Sequence, residues 1–198
     1  MLDLACGKGA VSVQVANALG CRVKGVDIIS EFIDFADKKA QEYGVQDLCE
    51  FKVGDINEAV KIEKDYDIVI LGAVGDVLGN PEETIQKLKD TVKNGGHIFI
   101  DDAYGNDNDD GKYPSRKKWI LYFQNAGVKL LDERFNEDDE LKSLNDEQQS
   151  FIVMRANELK GKYPDKAYLF DSYIKSQQAE CYELANEIFG VTMFLRVI

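Results

Sequence analysis

Residues 1–10 read MLDLACGKGA, and the reading of the whole chain turns on them. A short apolar run carries one acid, Asp3, and opens into a turn with glycines at 7 and 9. Such a turn lets the backbone approach a ligand closely, and the helix that follows offers unpaired N–H groups. The third glycine of the dinucleotide pattern GxGxxG is absent, because Ser12 stands in its place. Asp3 sits within the strand near the same ligand end, and by Coulomb sign a carboxylate there suits a cation better than a pyrophosphate.

Outward from this stretch the first half alternates strand-like and helix-like runs. "LDLAC", "RVKGVD", "EFKVGD", "YDIVIL" and "HIFIDD" are separated by "AVSVQVANALG", "SEFIDFADKKAQEYG", "NEAVKI" and "PEETIQKLKDTVKNGG". Alternation of this kind predicts right-handed crossovers and a parallel sheet. Asn80, Pro81 and Glu83 predict a capped start for the fourth helix, and Asn94-Gly95 its end. Beyond lie a polar loop (103–114), a helix near 115–126, the strand "VKLLDERF" and a last strand "VTMFLRV". The roughly 55 residues between these two strands, 136–190, read as two helices split at Tyr163-Pro164-Asp165. A connection that long is expected to be functional, as a lid or cover.

Composition narrows the partners. The formal charge is −12, from 24 basic and 36 acidic residues, which repels a polyanion and argues against nucleic acid as substrate. Acidic runs at Asp107 to Asp110 and Glu137 to Glu140 read as solvated loops. The sequence has neither an apolar membrane-spanning run nor the basic, apolar start of a secretory signal. Its four cysteines lack CxxC spacing, fitting reduced thiols in a cytoplasmic protein rather than disulfides or a zinc site. With His97 as the one histidine, no histidine-based triad can form; His97 is expected to be structural, ahead of strand five. A small-molecule substrate is the expectation.

"LDLACGKGA" resembles the first motif of the class I S-adenosylmethionine-dependent methyltransferases, written LDxGxGxG, with Ala5 where the family has its first glycine. The resemblance covers roughly residues 1–134, with five motifs in order, this one the first. It implies a Rossmann-like, doubly wound α/β sheet of seven strands, mostly parallel. The last strand would be antiparallel, at one edge beside 128–134, with the helical insertion before it. It implies S-adenosylmethionine as methyl donor and S-adenosylhomocysteine as product. By resemblance Asp3 lies near the methionine ammonium, with Ala5, Cys6, Gly7 and Gly9 in the cradling turn. Asp27 accepts from the ribose hydroxyls and Ile28 lies against adenine. Asp55 and Ile56 meet the adenine edge and ring. Leu71, Gly72 and Ala73 line the methionine part.

Methyl transfer from a sulfonium needs alignment and desolvation, and an oxygen or nitrogen acceptor can also need a base. The candidates are Asp76, Asp102 and Tyr104, with Asp101 beside them; no metal is expected. Relatives carry a helical segment ahead of strand one, which is expected to be missing here, so that the 136–190 helices or a partner subunit would supply the cover. The whole chain is read as one domain, with its oligomeric state open and a dimer possible. Two alternatives stand beside this: a binding-only or inactive relative, and a nicotinamide-dependent oxidoreductase.

Overall fold

Leu2 and Leu4 are fully buried and Asp3 nearly so, because the strand they form has a sheet neighbour on each side. A central parallel strand is covered on both faces and reads as continuous rather than alternating. A computed structural model describes residues 1–105, 113–135, 138–186 and 188–198. The acidic run Asp107–Asp110 and Glu137 therefore lie outside the described residues. The chain forms two compact units, one of residues 1–102, 117–134 and 192–198, the other of 103–116 and 135–191.

In the first unit β1 (Leu2–Leu4), α1 (Ala10–Leu19), β2 (Val23–Asp27), α2 (Ser30–Glu42) and β3 (Cys49–Val53) follow one another. Then come α3 (Ile56–Ile62), β4 (Tyr66–Gly72), a 3₁₀ turn (Gly75–Leu78), α4 (Pro81–Lys89) and β5 (Val92–Tyr104, whose last two residues belong to the second unit). The remaining elements of this unit are α5 (Arg116–Ala126), β6 (Val128–Phe135) and β7 (Phe189–Val197), each extending slightly past its boundary. The strand order is β3-β2-β1-β4-β5-β7-β6. The pairs β1·β2, β2·β3, β1·β4 and β4·β5 are parallel, with Leu4 opposite Val26 and Leu71, and Leu71 opposite Ile100. The order reverses direction at β1, so the carboxyl ends of β1 and β4 flank a topological switch point, where open α/β sheets bind ligands.

β7 runs antiparallel to β5. Thr192 bonds to Asp101 while Phe194 stacks on Phe99 and His97, so numbers rise on one strand as they fall on the other. The position expected for it at the sheet edge is not what the structure has. β7 lies between β5 and β6, and β6 is the outer strand. The physical reason is burial: Val191, Met193 and Leu195 are fully buried and Phe194 is half-covered by stacking, whereas β6 is mostly exposed. His97 lies inside β5 rather than ahead of it.

Asn80 and Glu83 form the expected reciprocal cap. Asn80 Oδ1 accepts from the Glu83 N–H at 3.0 Å, and Glu83 Oε2 accepts from the Asn80 N–H at 3.1 Å. The end of this helix falls earlier than expected, at Lys89. Val92 pairs with Tyr66, so Asn94-Gly95 lie within an irregular start of β5. In the second unit α6 (Asp138–Lys162), a 3₁₀ turn (Pro164–Lys166) and α7 (Ala167–Asn186) form an antiparallel hairpin. Gln149 Nε2 donates to the Ile174 carbonyl at 3.3 Å, and Lys160 pairs with Asp171 nearer the turn. Phe151, Met154, Tyr168, Tyr173 and Tyr182 on these helices are each more than half exposed.

Replacing Asn80 with Ala removes the acceptor for one helix N–H and should lower stability by about 1 kcal/mol, with the m-value unchanged, in urea denaturation.

Candidate functional site

The turn after β1 is held in shape by its own backbone. The Cys6 N–H donates to the Val26 carbonyl at 3.1 Å, and the Gly9 N–H to the Cys6 carbonyl at 2.9 Å. Gly9 has φ 74° at the start of α1, and a Cβ there would lie 2.8 Å from that of Ala36, so only glycine fits. Gly7 has φ 55° and a Cβ on it would meet nothing within 4 Å. Gly7 thus presents bare backbone to open space, the form of a cradle. Ala5 also has a positive φ, 57°. Alanine in place of the family glycine therefore costs roughly 1 kcal/mol of backbone strain.

Two carboxylates flank this turn. Asp27, at the end of β2 and 7% exposed, accepts from the Gly7 N–H through Oδ2 at 2.8 Å and from the Ile29 N–H through Oδ1 at 2.9 Å. Each oxygen keeps a lone pair for a further donor. Asp3 is 4% exposed, and its Oδ2 accepts from the Ser12 hydroxyl at 2.6 Å. Burial, opposed by the Ser12 bond and reinforced by the charge of Asp27, pushes the Asp3 carboxyl up to about 6. Burial next to Asp3 and Asp27 pushes the Cys6 thiol up to about 12, so it is a packing group and no nucleophile.

The other sequence-predicted residues fall at neighbouring strand ends. Ile28 is 69% exposed. Asp55 caps α3 through Oδ1, which accepts from the Asn57 N–H at 2.8 Å, and Ile56 is buried. Leu71 is buried, Gly72 is open on its Cβ side, and the Ala73 N–H donates to the Asp101 carbonyl at 3.0 Å. Asp76, Asp101 and Asp102 line one concavity with Leu71, Val74 and Ile100. Tyr104 belongs to the second unit, where it is 3% exposed and edge-on to Phe135.

Residues 1–149 match a family model described as a methyltransferase domain. The chain belongs to this methyltransferase-domain family. It is 31% identical over 99 residues to a probable cobalt-precorrin-6B C(15)-methyltransferase (decarboxylating) of Methanothermobacter thermautotrophicus, covering 50% of each chain. It is 32% identical over 105 residues to a ubiquinone biosynthesis O-methyltransferase of Shewanella pealeana, over 50% of this chain and 42% of that one. The chain thus spans about half, or less, of the length of these curated relatives. Its fold is that of a Thiobacillus denitrificans SAM-dependent methyltransferase solved with S-adenosyl-L-homocysteine. The TM-score is 0.80 at 18% identity, covering 99% of this chain and 83% of that one.

Within this methyltransferase fold two features escaped sequence reasoning. Ser12 reads in the sequence only as a missing glycine, yet it is fully buried and holds the carboxylate of Asp3. Lys8 lies over the rings of Phe32 and Phe35, 5.4 Å from each centroid. The i, i+3 spacing of two phenylalanines on α2 is the only signal for that contact.

The ionised Asp3 destabilises the fold relative to its protonated form. That cost is fully present above about pH 6 and is relieved as pH falls toward the ordinary carboxyl value of 3.8. Asp3→Asn should therefore raise unfolding stability at pH 7 by up to about 3 kcal/mol, with the gain shrinking toward pH 4. Urea denaturation at the two pH values measures both quantities.

Proposed function

We propose that this chain binds S-adenosylmethionine at the carboxyl ends of β1 to β4 and transfers its methyl group to a small-molecule acceptor. The observation that carries the reading is the placing of two buried carboxylates, Asp3 and Asp27, beside one half-buried glycine backbone, Gly7, that is open on its Cβ side. A ligand served by both needs a cationic group for one and hydroxyl donors for the other. S-adenosylmethionine has an ammonium, a ribose diol and no phosphate, so the residues present fit it. A dinucleotide would set its pyrophosphate against Asp3.

When bound, the cofactor supplies a methyl group made electrophilic by the sulfonium. Asp3 anchors the ammonium, and Asp27 accepts from the ribose hydroxyls with its remaining lone pairs. Bare backbone at Gly7 and Gly72 leaves room for the methionine portion, and exposed Ile28 offers apolar surface to the adenine. The free oxygen of Asp55 accepts from the adenine amino group while its other oxygen caps α3. Asp76 and Asp102, brought into one concavity, are the bases proposed for an acceptor proton. The acidic balance of the chain and the quinone-pathway name of one relative support a small acceptor.

Calorimetric titration with S-adenosylhomocysteine and NAD side by side tests the cofactor. The homocysteine product should bind and NAD should not. Asp27→Asn should weaken product binding about ten- to hundredfold, through charge-assisted bonds worth roughly 1.5–3 kcal/mol. NAD binding instead, or an unchanged affinity in the variant, would remove the basis of the proposal. A small-metabolite panel with S-adenosylmethionine then separates an enzyme from a binding-only relative by turnover.

A further inference from the structure

Lys8 is the single charged residue of the turn between β1 and α1. It stands just ahead of a helix start, where the macrodipole disfavours a cation. Asp27 Oδ2 lies 2.8 Å from the nitrogen of Gly7, the residue before it. This carboxylate is therefore within about 8 Å of the Lys8 Cα. A lysine's flexible four-carbon stem brings its ammonium across such a distance. By reach and by charge, an ion pair with Asp27 is the expected arrangement.

The structure has a different one. Lys8 Nζ stands 5.4 Å from the ring centroids of both Phe32 and Phe35, and among the described residues it has no hydrogen bond or ion pair. The Asp27 oxygens accept instead from the Gly7 and Ile29 N–H groups. Burial, Ser12 and Asp27 set the proton affinity of Asp3, and no cation contributes. The two rings are three residues apart on α2 and share one of its faces. Phe32 is half-buried and Phe35 is 40% exposed. Lys39 also lies over Phe35, at 5.5 Å, but its ammonium is paired with Glu42 at 2.7 Å. Lys8 has the rings alone.

We propose that Phe32 and Phe35 hold Lys8 off Asp27 and Asp3, so that both carboxylates stay open to a ligand bearing a cation and hydroxyl groups. The rings act on specificity through Lys8. The cofactor reading above supplies only the identity of that ligand. A cation over two rings at an exposed site is favoured about five- to thirtyfold. Once released, the ammonium bonds the remaining lone pairs of Asp27, which the ribose hydroxyls are proposed to use. It also sets a second positive charge against the ligand's own ammonium.

Phe32→Leu with Phe35→Leu removes both rings and keeps apolar side chains on α2. In the cofactor-free protein, carbon-13 NMR titration should find the Asp3 carboxyl at about 6 in the wild type. The double leucine variant should titrate lower, because the released ammonium favours the charged carboxylates. Adding Lys8→Met should bring the value back. S-adenosylhomocysteine should bind the double variant at least about threefold more weakly than wild type, and the triple variant as wild type does. Lys8→Met alone should leave the affinity unchanged. Thermal unfolding checks that each variant is folded, and Phe35→Leu alone, at the more exposed ring, replaces the pair if the pair is not. An Asp3 titration left unchanged by the leucine substitutions would overturn the proposal, as would an unchanged affinity. So would a loss that Lys8→Met fails to reverse, which assigns the rings to packing, or a loss from Lys8→Met alone, which assigns the lysine to the ligand. A wild type that does not bind S-adenosylhomocysteine removes the cofactor reading, and the Asp3 titration then decides by itself where the lysine is held.

Discussion

A carboxylate held at the centre of the sheet is the constraint from which the site is built. Asp3 lies on the middle strand, 4% exposed, with the Ser12 hydroxyl donating to its carboxylate. A buried carboxylate with so little compensation shifts its proton affinity upward, and here it settles at about 6. Near neutrality the group is charged and short of positive partners. A fold tolerates such a cost where a ligand will offset it. The cationic end of the proposed cofactor supplies what the protein withholds.

The surrounding structure serves that placement. β1 must be central for Asp3 to reach the switch point, and it is central because Leu2 and Leu4 are apolar on both sides of the acid. The turn that follows must reverse tightly into α1, which requires glycine at position 9 and a left-handed backbone at 5 and 7. Asp27 then ties β2 to the same turn through the Gly7 N–H. Replacing Asp27 therefore loosens the turn as well as the proposed ribose contact, and for this reason the asparagine variant, which keeps an acceptor, separates binding from folding better than alanine.

Much of this was legible in the sequence, for identifiable reasons. The alternation from β1 to β5 is written in local periodicity, and the cap at Asn80 in three residues. Asp3, Gly7, Gly9 and Asp27 stood at motif positions, and the structure links Asp27 to Gly7 directly. What was not legible depended on tertiary pairing. The insertion of β7 between β5 and β6 follows from which strand can be buried on both faces, and chain order does not encode it. The early start of β5 follows from Val92 pairing with Tyr66, against a local Asn-Gly signal. Ser12 was read by what it is not, because its hydroxyl gains meaning only from a carboxylate nine residues earlier.

The central claim is that the charge of Asp3 is reserved for a cationic ligand. Proton linkage tests it most directly. Calorimetric titration of S-adenosylhomocysteine at pH 5, in two buffers of different ionisation enthalpy, counts protons released on binding. A carboxyl near pKa 6 is about nine-tenths protonated at pH 5, so an ammonium bound against Asp3 should expel close to one proton. The Asp3→Asn protein should release none at that site. Wild-type binding without proton release, or the same release from the asparagine variant, would contradict the account.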